Sequence, residues 1–175
     1  MSETVNDLDV WLDDMAGAAL PGGVAAGALA GAMGAALIAK AGRVSLRRGT
    51  PEGAVADMVA IADSGRRELM RLVQADVDAY RKVLHKQGLT AWLAATGVPL
   101  QVAEISHKLL GQLDRLCQEC WPGIAVDLEI GIDLLKVARA AGLIAARDNL
   151  SYLESRPEAD GLRRRLEALA EEVET

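Results

Sequence analysis

The stretch Leu20–Arg48 constrains this chain most, because it is long, largely uncharged and built mainly of Ala and Gly. The turn Pro21–Gly23 opens it, and a helix of small residues is predicted to follow. Each Gly inside a helix costs about 0.8–1 kcal/mol relative to Ala, so another interaction must offset that cost. Gly27, Gly31 and Gly34 are three or four residues apart and share one helical face. We therefore predict a central helix that another backbone approaches very closely.

The same stretch is long enough to cross a membrane, since no charged residue lies between Asp14 and Lys40. Small residues at this spacing also pack transmembrane helices. However, Pro21–Gly23 interrupts the run, and Ala and Gly contribute little to membrane insertion. We expect a buried core helix and no membrane contact, with a membrane-associated helix as the alternative. Recovery of the protein without detergent would decide between the two.

The composition indicates one domain over residues 1–175, with a core of aliphatic side chains. Hydrophobic residues make up 51% of the chain, whereas aromatic residues make up 3% and Phe is absent. Such a core is typical of closely packed helices. The net charge of -6 argues against a general nucleic-acid surface. The acidic N-terminus differs from the basic start of a secretory signal, so a cytoplasmic location is predicted.

Cys117 and Cys120 form a single C-x-x-C pair. A zinc site needs two more ligands, and the two histidines, His85 and His107, do not follow at the required spacing. A redox pair of this kind normally sits in a βαβ context, and no strand pattern is visible. The sequence therefore predicts two small apolar residues on one helix rather than a zinc or redox site.

Hydrophobic periodicity near 3.6 residues continues along the chain and predicts an all-α, up-and-down bundle of five to six helices. Gly49 is expected to end the Ala/Gly helix, and Thr50-Pro51-Glu52 to start the next one. Pro99 is expected to kink or restart a helix, with Leu100 to Trp121 continuing as one helix. Residues 158–175 are predicted to form a peripheral C-terminal helix.

Four stretches follow one another in an order that is typical of one known family. They are Leu20–Gly23 with the Ala/Gly helix, Asp76–Tyr80, Ala95–Leu100, and Asp127 with the later Ala145–Leu150. They resemble that family's Pro-Gly-Gly-Gly-Ser turn, its Asp-Ala-x-Ala-Phe motif, its Val-Pro-Leu kink, and its Ser-Asp segment with a closing Asn-Leu. On this ground the chain resembles the cyclodeaminase/cyclohydrolase family over about Val10 to Leu153. This family includes formiminotetrahydrofolate cyclodeaminase and bacterial methenyltetrahydrofolate cyclohydrolases.

The resemblance implies a homodimeric helical enzyme of one-carbon metabolism that takes a tetrahydrofolate derivative as its substrate and needs no metal and no permanently bound cofactor. The reaction would be hydrolysis of 5,10-methenyltetrahydrofolate or deaminating cyclisation of 5-formiminotetrahydrofolate. Asp76 and Asp127 stand at the family's carboxylate positions and are the implied catalytic residues. If the two carboxylates approach one another, their pKa values would separate into one base and one acid. The implied substrate-binding residues are Pro21, Gly22, Gly23, Arg43, Arg47, Tyr80, Pro99 and Asn149.

The chain departs from the family pattern at several positions, and three of these departures concern the implied site most directly. Val24 and Ala25 replace the third Gly and the Ser of the turn, and Val126 replaces the Ser that precedes the aspartate. Polar positions of the implied site have thus become apolar. The alternative prediction is a diverged, non-catalytic binding or assembly protein of the same fold, or an enzyme that acts on a different ligand.

Overall fold

The computed structural model describes residues 3–17, 20–86, 88–154 and 156–174. These ranges contain seven α-helices, two short 3-10 helices and no β-strand, which confirms the all-α prediction. The α-helices are α1 (Glu3–Ala16), α2 (Gly23–Arg47), α3 (Ala54–Leu84), α4 (Gly88–Leu110), α5 (Asp114–Glu119), α6 (Ala125–Ser151) and α7 (Asp160–Glu174). The 3-10 helices are Pro122–Ile124 and Pro157–Ala159.

The long helices α2, α3, α4 and α6 form the bundle, and α2 lies between α3 and α6. Helix α4 packs on both α3 and α6 and closes the ring. The core is aliphatic, with Ile38, Leu69, Leu72 and Leu135 fully buried. Helix α7 covers α4 and α6 through a second apolar cluster. The C-terminal helix is therefore packed on the outside of the bundle.

The glycine face of α2 lies against α6, as the spacing predicted. A Cβ added at Gly27 would lie 2.7 Å from the Cβ of Ala141, and one at Gly31 would lie 2.8 Å from the Cβ of Ala138. A Cβ added at Gly34 would lie 2.6 Å from the carbonyl oxygen of Gly131. Rising numbers on α2 meet falling numbers on α6, so the two helices are antiparallel. Close contact over this length offsets the propensity cost of the glycines through dispersion and burial.

By length and composition, α2 could cross a membrane. In the bundle it is flanked by α3 and α6, and 56% of its most apolar 18-residue stretch is buried inside the protein. A core helix has the same composition as a membrane span because both must bury apolar side chains. The position of α2 is therefore that of a core helix.

One expected helix boundary is wrong, and the helix does not restart at Pro99. Pro99 lies inside a continuous α4, because close packing against Gly142 of α6 and a side-chain hydrogen bond from α6 support the helix there. The predicted Leu100–Trp121 helix instead ends at Leu110, and α5 follows as a separate short helix. This division gives seven helices rather than five or six.

The start of α3 also differs from the expectation. Thr50 is not its N-cap; its hydroxyl donates instead to the carbonyl of Glu119. Gly53 occupies the N-cap position with φ +82°, a left-handed conformation that favours glycine. The tertiary contact with Glu119 thus takes the Thr50 hydroxyl away from local capping.

We expect Gly34→Ala to destabilise the protein by about 2–3 kcal/mol, because the new methyl group would meet a backbone oxygen that cannot move alone. Gly97→Ala in α4 is the matched control, since a Cβ there meets nothing within 4 Å. The control should stabilise the protein by about 0.5–1 kcal/mol, because Ala has a higher helix propensity than Gly. Urea unfolding of both variants measures the difference, and equal effects would contradict the close α2–α6 contact.

Candidate active site

A cleft of about 330 Å³ lies where the N-terminus of α2, the second half of α3 and the C-terminal part of α6 meet. Its lining brings together three of the sequence motifs. The lining residues are Leu20, Gly22, Gly23, Val24, Asp76, Tyr80, Ala145, Asp148 and Asn149. Five of the residues implied to form the site, Gly22, Gly23, Asp76, Tyr80 and Asn149, therefore share one cavity.

The turn before α2 forms one wall of the cleft. Pro21 is buried behind it and follows a cis peptide bond. Gly22 is the N-cap of α2 and offers no side chain to cap the helix. A Cβ added at Gly22 or Gly23 would meet nothing within 4 Å, so the space in front of the turn is open. The Pro-Gly-Gly sequence thus keeps the backbone at the start of α2 accessible.

Asp76 is the one charged side chain that is buried among residues whose burial is described, with 7% exposure. It projects from α3 toward the N-terminus of α2, where the backbone N–H of Ala25 is directed at its carboxylate. Burial raises the pKa of Asp76 to about 6, and the Ala25 N–H opposes that rise. Asp76 consequently takes the place of the missing side-chain cap of α2 while remaining able to exchange a proton near neutral pH.

The rest of the lining is rich in acceptors. Tyr80 lies one turn after Asp76 on α3 and is 38% exposed at the mouth. Asp148 and Asn149 come from the last turns of α6. No Lys or Arg lines this cavity in the part of the chain that the structure describes. Sequence reasoning missed Asp148, although its helical spacing from Ala145 placed it on the same face.

Asn149 has a definite structural partner. Its Nδ2 donates to the carbonyl oxygen of Ala95 at 2.7 Å. Pro99 lacks the N–H that would bond this carbonyl within α4, since a helical N–H bonds the carbonyl four residues earlier. The proline motif of α4 therefore does not line the cleft itself but is linked to it through Asn149.

The remaining residues implied to form the site lie elsewhere in the chain. Asp127 forms an ion pair with Lys40, and Arg43 forms one with Asp63. Arg47 is exposed in the last turn of α2. Because Ala25 and Lys40 are about four turns apart on α2, Asp76 and Asp127 are separated by roughly 20 Å along the helix. The fold of the single chain therefore does not bring the two carboxylates together.

The apolar departures do not fill the cleft. Val24 contributes to its wall, and the side chain of Ala25 is buried. Val126 lies on the outer surface of α6 and is 67% exposed. Neither Cys117 nor Cys120 lines the cleft. Within the described residues, no group of three or more His, Cys, Asp or Glu side chains could hold a metal ion.

The raised pKa of Asp76 links its ionisation to stability. Folding favours the protonated carboxyl, so its contribution is fully present below about pH 3.8 and is lost as the pH rises through about 6. The buried, ionised Asp76 therefore lowers the free energy of unfolding at pH 8 by on the order of 3 kcal/mol relative to a pH below 3.8. We expect Asp76→Asn, which keeps an acceptor for Ala25, to stabilise the protein by about 2–3 kcal/mol at pH 8 and hardly at all at pH 4. Chemical unfolding at both values tests this, and a pH-independent difference would contradict it.

Comparisons with known proteins agree on one family. The family model for formiminotransferase-cyclodeaminase matches residues 8–168. The crystal structure of formiminotetrahydrofolate cyclodeaminase from Thermotoga maritima superposes with a TM-score of 0.81 and 22% sequence identity, covering 93% of this chain and 87% of that one. A search of curated proteins finds no significant match. With nearly the whole chain matched, this protein belongs to the formiminotransferase-cyclodeaminase family.

Proposed function

We propose that this protein is a cytoplasmic enzyme of one-carbon folate metabolism. It would hydrolyse 5,10-methenyltetrahydrofolate or cyclise 5-formiminotetrahydrofolate with loss of ammonia. The observation that supports this most directly is Asp76, a buried carboxyl with a pKa near 6 that lines an open cleft beside the Pro21–Gly23 turn. Family membership supplies the substrate class.

The charge of the cleft suits such a substrate. The methenyl bridge is a carbon between two nitrogens that share one positive charge. Within one chain, Asp76 and Asp148 line the cleft without a basic side chain among the described lining residues. A cation would therefore be stabilised there, and its carbon would face a carboxylate. The cleft volume of about 330 Å³ suits the ring system, with the glutamate tail outside.

Asp76 is the proposed general base or acid. In hydrolysis, its carboxylate accepts a proton as a water oxygen bonds to the methenyl carbon; one C–N bond then breaks, and the released nitrogen takes a proton. In cyclisation, a ring-closing nitrogen bonds to the formimino carbon, and a protonated acid supplies the proton with which ammonia leaves. A pKa near 6 leaves both forms of Asp76 accessible close to neutral pH.

A second proposal concerns assembly. Small and large apolar side chains remain partly or largely exposed along adjoining sides of α2 and α6, and we refer to them as the α2–α6 face. Its members are Ala26, Leu29, Ala30, Met33 and Leu37 of α2 and Val126, Ile130, Val137 and Ile144 of α6. Two helices over this length cover on the order of 500 Å² in projection. The accessible area of such a ridged surface approaches the roughly 800 Å² per partner of a stable interface.

We propose that two copies pair through this face as a homodimer, with their α2 helices antiparallel. The basic end of α2, with Lys40 and Arg47, would then meet the acidic end that carries Asp76 and Asp148. A parallel arrangement would instead place like charges together. The face is centred near Met33, and Lys40 and Ala26 are each seven residues from Met33 along α2. A two-fold axis at Met33 would therefore place Lys40 of one copy opposite Ala26 of the other.

This dimer would reunite the implied catalytic residues. Asp127 is bonded to Lys40 and would be carried with it toward the end of α2 where the other copy holds Asp76. Arg43 and Arg47 would reach the same region and could hold the carboxylates of a glutamate tail. The site would thus combine Asp76, the turn and Asn149 of one copy with Asp127 of the second.

Asp76→Asn should lower the rate of methenyltetrahydrofolate hydrolysis or formiminotetrahydrofolate cyclisation by at least about 100-fold, because the proton acceptor is lost. The measurement follows the absorbance of the methenyl compound with each substrate. Asp78→Asn is the matched control, since Asp78 is exposed on the same helix and bonds Gln74 and Arg81. The wild-type hydrolysis rate should rise with pH through about 6. No acceleration of either reaction by the wild-type protein would refute the proposed activity.

Met33→Glu should convert the dimer to monomers and reduce activity at least tenfold, because a charge is placed at the centre of an apolar interface. Met70→Glu provides a matched control: Met33 and Met70 are 48% and 45% exposed, but Met70 lies on α3, outside the α2–α6 face. Light scattering after size-exclusion chromatography reports the mass of each variant. A monomeric wild type at micromolar concentration would rule this assembly out.

A further inference from the structure

Pro99 leaves one backbone carbonyl of α4, that of Ala95, without its helical hydrogen bond, and Asn149 bonds this carbonyl instead. Pro99 is buried within α4 and cannot donate to the Ala95 carbonyl. An unpaired buried carbonyl is costly, and Nδ2 of Asn149 reaches across from α6 to bond it. The nitrogen end of the Asn149 amide is therefore held in place by the backbone of α4.

The oxygen end of the same amide is different. Oδ1 of Asn149 accepts no hydrogen bond from the described residues, whereas every buried side-chain polar atom among them has a partner. Oδ1 is therefore accessible rather than sealed in the core. Since the amide is planar and its nitrogen is fixed at Ala95, the oxygen is fixed on the opposite side of the group. Asn149 lines the same cleft as Asp76, so this acceptor is available to a ligand there.

We propose that Asn149 is a specificity-determining residue whose Oδ1 accepts a hydrogen bond from an N–H group of the ligand, with Pro99 as the residue that fixes its orientation. The ligand would carry this N–H on a heterocycle or an amidine, positioned while Asp76 faces the reacting carbon. A ligand without an N–H at that position would leave the acceptor unpaired and bind more weakly. The identity of the ligand in this inference rests on the proposed folate reaction.

A purely structural role for Asn149 makes a different prediction. If the side chain only repairs the defect at Pro99, then removing the proline should remove the need for Asn149 altogether. Pro99→Ala restores an N–H within α4, and that N–H can bond the Ala95 carbonyl. In this background Asn149 can be changed without leaving the carbonyl unpaired, so its effect on the ligand is measured separately.

The experiment compares the wild type with P99A, N149L, P99A/N149L and P99A/N149D. N149L alone should lower Tm by about 4 °C or more, whereas P99A/N149L should melt close to P99A. Relative to P99A, P99A/N149L should raise KM for the folate substrate at least about tenfold with a smaller change in kcat. P99A/N149D retains acceptor oxygens in a side chain of the same shape as asparagine, so its KM should remain within a few-fold of that of P99A.

The outcomes separate this inference from the proposed function. If the substitutions lower Tm additively, the coupling of Pro99 and Asn149 is absent and the inference is overturned without reference to any ligand. If the wild type is active but P99A/N149L has the KM of P99A, or P99A/N149D is as impaired as P99A/N149L, Asn149 is structural only. A wild type that transforms neither folate overturns the proposed function and, with it, the ligand assigned to Asn149.

Discussion

The close approach of the α2 and α6 backbones is the contact on which the rest of the structure depends. Gly34 and Gly131 meet through backbone atoms, and Gly27 and Gly31 accept alanine methyl groups of α6. Only residues without a Cβ allow this distance. Because the helices are antiparallel, the same contact carries the end of α6, with Asp148 and Asn149, to the start of α2. The cleft is therefore a consequence of how closely two helices pack along their whole length.

Asp76 shows how one side chain can serve both the fold and a site. The N-terminus of α2 has no capping side chain of its own, and the Asp76 carboxylate receives the Ala25 N–H instead. A carboxylate needed only to cap the helix would carry a smaller desolvation penalty on the surface, where its charge stays hydrated. Burial instead holds the Asp76 pKa near 6 and lowers stability at neutral pH. Such a cost at an open cleft is typical of groups that transfer protons.

The uncovered side of α2 gives a physical reason for its membrane-like composition. One side of this helix packs into the bundle, while Met33 and its neighbours face outward beside Ile130 and Val137 of α6. A helix that is apolar all round needs a partner on every side. In the proposed dimer, that partner is a second copy of the same face. In that dimer, the separation of Asp127 from Asp76 within one chain would have the same explanation, because the α2–α6 face lies between the two ends.

The sequence by itself determined the helical bundle, the glycine face of α2 and the family. Helical periodicity is a local pattern, and the order of the motifs can be read directly along the chain. It also identified five cleft residues, since Gly22, Gly23, Asp76, Tyr80 and Asn149 all belong to motifs. Only the tertiary structure decided that Pro99 lies inside a helix, because its missing hydrogen bond is replaced by Asn149 from 50 residues away along the chain. Likewise, the distance between Asp76 and Asp127 depends on the direction in which α2 and α6 pack. Contacts between distant segments leave no local pattern, and here they determine which of the motif residues can act together.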